Sequence, residues 1–220
     1  LFGKTRNGED VYVKIEDFKP YFLIKIPRIW KSDHMEEIVD ILKRKLEWKH
    51  RDSNKYKYDI ASGLYRYRLV TMKQLYGFRA GKEFQFIKME FNSKQAMNEY
   101  FYMFNKPLDV FGMEKTFKIF EKNVEPHLRF LHVSKLKSCG WCKFNTSDAT
   151  NIKNIESYTD HAYRLNYRKI HAFESTDVAP LKILGYDIEC VSGDAGFPQP
   201  TRSSDKIIQI GLTLYQNGSY

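Results

Sequence analysis

Cysteine is scarce. Only Cys139, Cys142 and Cys190 occur among 220 residues, too few for a disulfide-stapled secreted scaffold, so a reducing intracellular setting is expected. Long apolar runs are missing as well, none reaching the roughly 18 to 20 residues that cross a bilayer. The N-terminus lacks the basic-then-apolar order of a signal peptide, so no membrane partner is expected. An initiating Met is absent too, Leu1 standing first, and residues upstream are expected to have been trimmed. Neither internal repeats nor low-complexity tracts are found.

What the chain does have is positive charge and rings. Lys plus Arg number 36 against 27 Asp plus Glu, with 15 Tyr and 16 Phe. A basic, aromatic surface suits a polyanion whose bases can stack, which puts nucleic acid first among partners.

Changes of hydrophobic period divide the chain. "VYVKI" and "YFLIKIP" alternate as half-buried strands, the second closed by Pro27. In "KSDHMEEIVDILKRKLEWKHR" Met35, Ile38, Leu42 and Leu46 form one helical stripe, Asp33 can cap with Glu36, and the basic residues come late. "YRYRLVTMKQLYGFR", the turn "AGK" and "EFQFIKMEF" predict a hairpin. "NSKQAMNEYFYMF" predicts a helix capped by Asn92 or Ser93, and "TFKIFEKN" a last strand.

The resulting order, strand, helix, strand, strand, helix, strand over about 21–122, is that of ferredoxin-like and RNA-recognition domains. From Val124 to about Ser175 short pieces such as "LRFLHVS", "GWCKF" and "YRKIHAF" predict a small all-β insert. The expected divisions are 1–122 for an N-terminal domain, 123–178 for a β-rich linking subdomain, and 179–220 for the start of another domain. The fold class is α+β.

"KEFQFIKM" partly resembles the third-strand motif of RNA-recognition domains. Period 2 places Phe84, Phe86 and Lys88 on one face. With Lys82 they are candidate nucleic-acid contacts; the competing reading puts both Phe side chains in a core. The basic run "KRKLEWKHRDSNKYK" is equally a phosphate track or a solvated helix end.

"CGWC" raises a zinc or redox alternative on Cys139 and Cys142, with His127 and His132 as further ligands. The histidines precede the cysteines at a spacing unlike common zinc fingers. The pair also lacks the helix start that lowers a reactive thiol's pKa. Two structural thiols is the default.

"LKILGYDIEC" is apolar enough for a central strand, yet period 2 puts Gly185, Asp187 and Glu189 on one face. Two close carboxylates in an apolar setting need protons, cations or a metal. Oxygen donors select Mg²⁺ or Mn²⁺ over zinc. A second apolar run, "SSDKIIQIGLTL", follows the loop "SGDAGFPQP" and is expected to pair antiparallel with the first.

"DIEC", the Gly-Phe-Pro-Gln-Pro loop and the Ile-Gln-Ile strand together resemble the first exonuclease motif of family B DNA polymerases, of the delta type and of large DNA viruses. "FKPYFLIKIP" and "NVEPHLRFLHVSKLKSCGWCKF" are similar to segments these enzymes carry before the exonuclease domain. The resemblance implies an RNase H-like 3′-5′ exonuclease domain beginning near 179, with Asp187 and Glu189 as catalytic metal ligands and Phe197 and Pro198 shaping the site around a frayed strand.

It also implies DNA replication as the function, a primer-template and dNTPs as substrates, a sliding clamp as a candidate partner, and a nucleus or viral replication site as location. Later exonuclease and palm motifs do not occur in the chain. An N-terminal fragment is therefore expected, monomeric, inactive alone and binding no metal by itself. A stand-alone single-strand-binding module is the other alternative.

Overall fold

A computed structural model describes residues 1–49, 63–74, 77, 79–153, 158–194 and 196–216. In chain order its regular elements begin with β1 (Phe2–Lys4), β2 (Asp10–Glu16), β3 (Tyr21–Ile26), α1 (Ser32–Lys49), β4 (Leu64–Lys73), β5 (Glu83–Phe91) and α2 (Lys94–Tyr102). There follow β6 (Leu108–Val110), β7 (Met113–Lys115), β8 (Ile119–Phe120), α3 (Pro126–Val133), β9 (Cys142–Lys143), β10 (Thr150–Asn151) and β11 (His161–Asn166). The last are β12 (His171–Ala172), β13 (Lys182–Val191) and β14 (Lys206–Gln216).

By packing the chain falls into two units. One comprises Leu1–Ile15, Phe144–Leu165 and Glu174–Tyr220, the other Glu16–Lys143 and Asn166–Phe173.

The second unit is built on a four-stranded sheet in the order β4-β5-β3-β8. Each neighbouring pair is antiparallel. Alternation in β3 and β5 sends Phe22, Ile24, Ile26, Ile87, Met89 and Phe91 to one face, where they join Ile38, Leu42 and Leu46 of α1 and Met97 and Tyr100 of α2. Side chains buried this fully contribute about 1.5–3 kcal/mol each. Burial also pushes the Tyr100 phenol up to about 12, so it remains neutral.

The helix ends show the local logic. Ser93, in extended conformation, accepts a hydrogen bond from the Ala96 amide at 3.1 Å and starts α2. α1 starts one residue before the expected cap, so Asp33 lies in its first turn. There its carboxyl is held below the usual value, first by the His34 side chain.

Two elements correct the sequence reading. The piece "LRFLHVS", expected as a strand in an all-β insert, belongs to helix α3, with Pro126 in its first turn. Pro at that position loses no intrahelical bond and has a helical φ already set. α3 buries Arg129 and Phe130. The Arg129 guanidinium donates to Glu121 Oε2 at 2.6 Å and lies over the Tyr21 ring at 3.8 Å. The hairpin β6–β7 was not anticipated. Its turn holds Phe111 and Gly112, both at positive φ, a two-residue hairpin turn with Gly in only one of the two places.

In the first unit β1, β2, β11 and β10 form a second sheet in that order. Glu9 meets His161 at 3.2 Å, and the Asp10 amide donates to Asp160 at 2.7 Å. β13 and β14 make a separate antiparallel ribbon.

Candidate functional site

The β13–β14 ribbon carries the two candidate carboxylates, Asp187 and Glu189. Its register pairs Gly185 with Thr213, Asp187 with Gly211 and Glu189 with Gln209, all on one face. Leu184–Leu214, Tyr186–Leu212 and Ile188–Ile210 pair on the other. From Leu184 to Glu189 one face is thus polar and small, the other apolar apart from the Tyr186 hydroxyl.

The expected convergence of Asp187 and Glu189 is present at the level of the strand: successive outward positions of β13, on the face opposite the leucines. Both are exposed. Asp187 Oδ1 accepts from the Ile188 amide at 2.9 Å. Gly211, directly across from Asp187, leaves open space where a side chain would stand, whereas Glu189 stands opposite Gln209. Hard oxygen donors with cleared space beside them fit Mg²⁺ or Mn²⁺. Among the described residues no group of three or more His, Cys, Asp or Glu could hold a metal.

The expected strand pairing is there: β14 is "KIIQIGLTLYQ" and runs antiparallel to β13, with a register shift at Glu189/Cys190. What the apolar composition did not reveal is exposure. Every residue of β13 is solvent-exposed, and Leu212 in β14 keeps 67% of its surface. The connecting loop presents Phe197 with its ring outward, at 85% exposure.

The other candidates fare differently. Lys82 is exposed. Phe84 is half-buried, with the Lys25 ammonium 3.6 Å from its ring centre. Phe86 is 2% exposed and packs edge-on against Phe120, which leaves no ring face for a base. Lys88 pairs with Glu90 at 2.9 Å and lies over Tyr21 at 3.9 Å. For Phe86 the core reading therefore replaces the stacking one, because the side of the sheet away from the helices is itself covered there.

Cys139 and Cys142 are free thiols. Partial burial of the Cys142 sulfur pushes its pKa up although the residue keeps an exposed edge, the reverse of what a reactive thiolate needs. His127 and His132 both lie on α3, five residues apart, so their side chains point about 140° apart and do not converge. Sequence reasoning missed Asp205, the carboxylate on which the loop between β13 and β14 is tied; its position just before an apolar run was the available signal.

Residues 117–220 match the exonuclease domain of DNA polymerase family B. Those residues belong to the exonuclease domain of that family.

Over its full length the chain is 37% identical to a DNA polymerase of Acanthamoeba polyphaga mimivirus, of which it spans 13%. Over 99% of its length it is 26% identical to the DNA polymerase delta catalytic subunit of Schizosaccharomyces pombe, spanning 20% of that protein. Its fold is similar to that of a family B DNA polymerase from Pyrobaculum calidifontis, with TM-score 0.62 at 15% identity, over 98% of this chain and 24% of the other. The chain thus spans 13% to 21% of the viral polymerases it matches. No helix among the described residues is long and apolar enough to cross a membrane.

Proposed function

We propose that this chain contributes the opening strands of a proofreading 3′-5′ exonuclease within a replicative DNA polymerase. The observation that carries the proposal is the asymmetry of the β13–β14 ribbon. Its apolar side calls for burial, while its other side presents Asp187 and Glu189, with Gly185 before them on the same face and Gly211 opposite Asp187.

In this reading Asp187 and Glu189 would hold divalent ions, Mg²⁺ or Mn²⁺. Such ions, when bound, stabilise the negative charge that develops on the phosphate during hydrolysis. Gly211 keeps the floor beside Asp187 clear, and Phe197 meets the frayed 3′ nucleotide. The substrates of the parent enzyme are then a DNA primer-template and dNTPs, with a sliding clamp as candidate partner and the nucleus or a viral replication site as location.

We read the β4-β5-β3-β8 sheet with α1 and α2 as a ferredoxin-like unit within an N-terminal domain ending near 122. The linking subdomain ends near 178, and an RNase H-like exonuclease domain starts at 179. Lys82, Phe84 and Lys88 stay as secondary nucleic-acid contacts.

The test is Asp187→Ala with Glu189→Ala in the polymerase that carries this chain. Excision of a mispaired 3′ nucleotide should fall about 10³-fold or more, the rate equivalent of several kcal/mol of lost ion stabilisation, while extension of a matched end persists. Mn²⁺ uptake, followed by electron paramagnetic resonance, should fall in the same variant. Retained excision would overturn the assignment.

A further inference from the structure

The loop from Ser192 to Asp205, which joins the two strands of the ribbon, is organised around one carboxylate. Asp205 Oδ1 accepts hydrogen bonds from Ser192 Oγ at 3.1 Å, the Gly193 amide at 3.1 Å and Ser204 Oγ at 3.2 Å. Its Oδ2 accepts from the Gln199 amide at 2.8 Å and faces Arg202 Nε at 3.1 Å. The side chain is 4% exposed. The Gln199 amide, first among these donors, helps hold the carboxyl below its usual range, so the charge persists at neutral pH.

Arg202 completes the arrangement. Its Nη1 donates to Asp194 Oδ2 at 3.0 Å and its Nη2 to the Phe197 carbonyl at 2.6 Å. With Nε on Asp205, every nitrogen of the guanidinium is engaged inside the loop. The loop ends also close tightly: a side chain at Gly193 would stand 2.5 Å from Ser204 Cβ.

The one large apolar group in this loop is not used to pack it. Phe197 has its backbone tied through Arg202 and its ring turned outward. A ring whose backbone is already anchored spares the cost of ordering the loop when a ligand arrives, which lowers the ordering cost of stacking.

We propose that Asp205 and Arg202 are positioning residues that hold Phe197 as a preorganised stacking platform for an unpaired 3′ nucleotide of DNA. The proposal rests on the proofreading reading above and deepens it. Asp205 and Arg202 touch no substrate; they act through the ring.

The experiment uses the polymerase that carries this chain, with divalent ions chelated, and a primer-template whose mispaired 3′ terminus is 2-aminopurine. Quenching of that base on stacking reports docking. Phe197→Ala should weaken docking about tenfold, as loss of one base–ring stack implies. Asp205→Asn and Arg202→Ala, two independent ways to open the clamp, should each weaken it at least about threefold without lowering the melting temperature of the enzyme or its extension of matched ends.

In the Phe197→Ala background Asp205→Asn should add nothing, because its effect passes through the ring. Arg202→Lys should stay defective, since one ammonium cannot reach the three acceptors a guanidinium fork spans. Docking at the wild-type level in both clamp variants would overturn the proposal. So would an equal loss from Asp205→Asn with and without the ring. If Asp187→Ala with Glu189→Ala retains excision while these docking results hold, the metal assignment falls and the platform stands.

Discussion

Leu42 of α1 is fully buried, whereas Leu212 of β14 keeps two-thirds of its surface in water. The two leucines typify two regions of the molecule. The sheet that β4, β5, β3 and β8 form has helices to cover one face, and its strands alternate accordingly. The β13–β14 ribbon is apolar over most of its length and uncovered. What distinguishes the regions is therefore not composition but whether apolar surface has found a partner. Two-stranded ribbons are marginal alone, and the region that carries Asp187 and Glu189 is the one whose apolar side is exposed.

The largest expected effect sharpens that contrast. Leu42→Ala should destabilise the sheet unit by about 2–5 kcal/mol, a lost transfer term plus a cavity. In the same chain Leu212→Ala should change stability by less than about 0.5 kcal/mol, as for surface positions. Urea denaturation followed by circular dichroism checks both, and a comparable loss from the two would break the comparison.

Next in size comes Glu90, buried on the sheet beside Arg66 at 2.7 Å and Lys88 at 2.9 Å. Burial works to raise its carboxyl, but the hydrogen bonds from Arg66 and Lys88 outweigh it and leave the value below the ordinary 4.5. A depressed folded value means stability that is present above about pH 4.5 and lost as pH falls through the folded value. Glu90→Gln should lower stability at pH 7 by about 1–3 kcal/mol and flatten that acid-side loss, which denaturation at a series of pH values measures.

An effect of similar size, confined to one loop, tests the ribbon. Gly193→Ala forces the new methyl against Ser204, so about 1–3 kcal/mol of strain should appear as faster amide exchange around Asp205 while the core of the sheet unit keeps its protection. Smallest is the cap. Ser93→Ala removes the bond to the Ala96 amide and should cost about 1 kcal/mol in a thermal melt.

Much of both regions was legible in the residues. Period 2 in "EFQFIKMEF" sorted Phe84, Phe86 and Lys88 from Ile87 and Met89, and the faces are those observed. The 3.6 period of Met35, Ile38, Leu42 and Leu46 marked the buried stripe of α1. Reading failed where two periods compete over a short span. "LRFLHVS" alternates well enough for a strand, but Pro126 starts a helix there and Arg129 finds Glu121 and Tyr21 only once folded.

The fate of Phe86 was equally invisible. Local pattern assigns a face; it cannot say whether that face is covered, as Phe120 covers it here.

The sequence by itself determined the face of β13 on which Asp187 and Glu189 stand, because side-chain direction along a strand is a property of the backbone. It determined the helix stripe, the nucleic-acid leaning of the charge, and, through "DIEC" with its following loop and strand, the family of the exonuclease domain that residues 117–220 match. Only the tertiary structure decided that Gly211 clears the space opposite Asp187 and that Phe86 is enclosed. It alone revealed that Asp205 and Arg202 hold the loop which turns Phe197 outward. These facts depend on which residues meet across a register or around a loop, and such meetings are set by packing and hydrogen-bond geometry rather than by order along the chain.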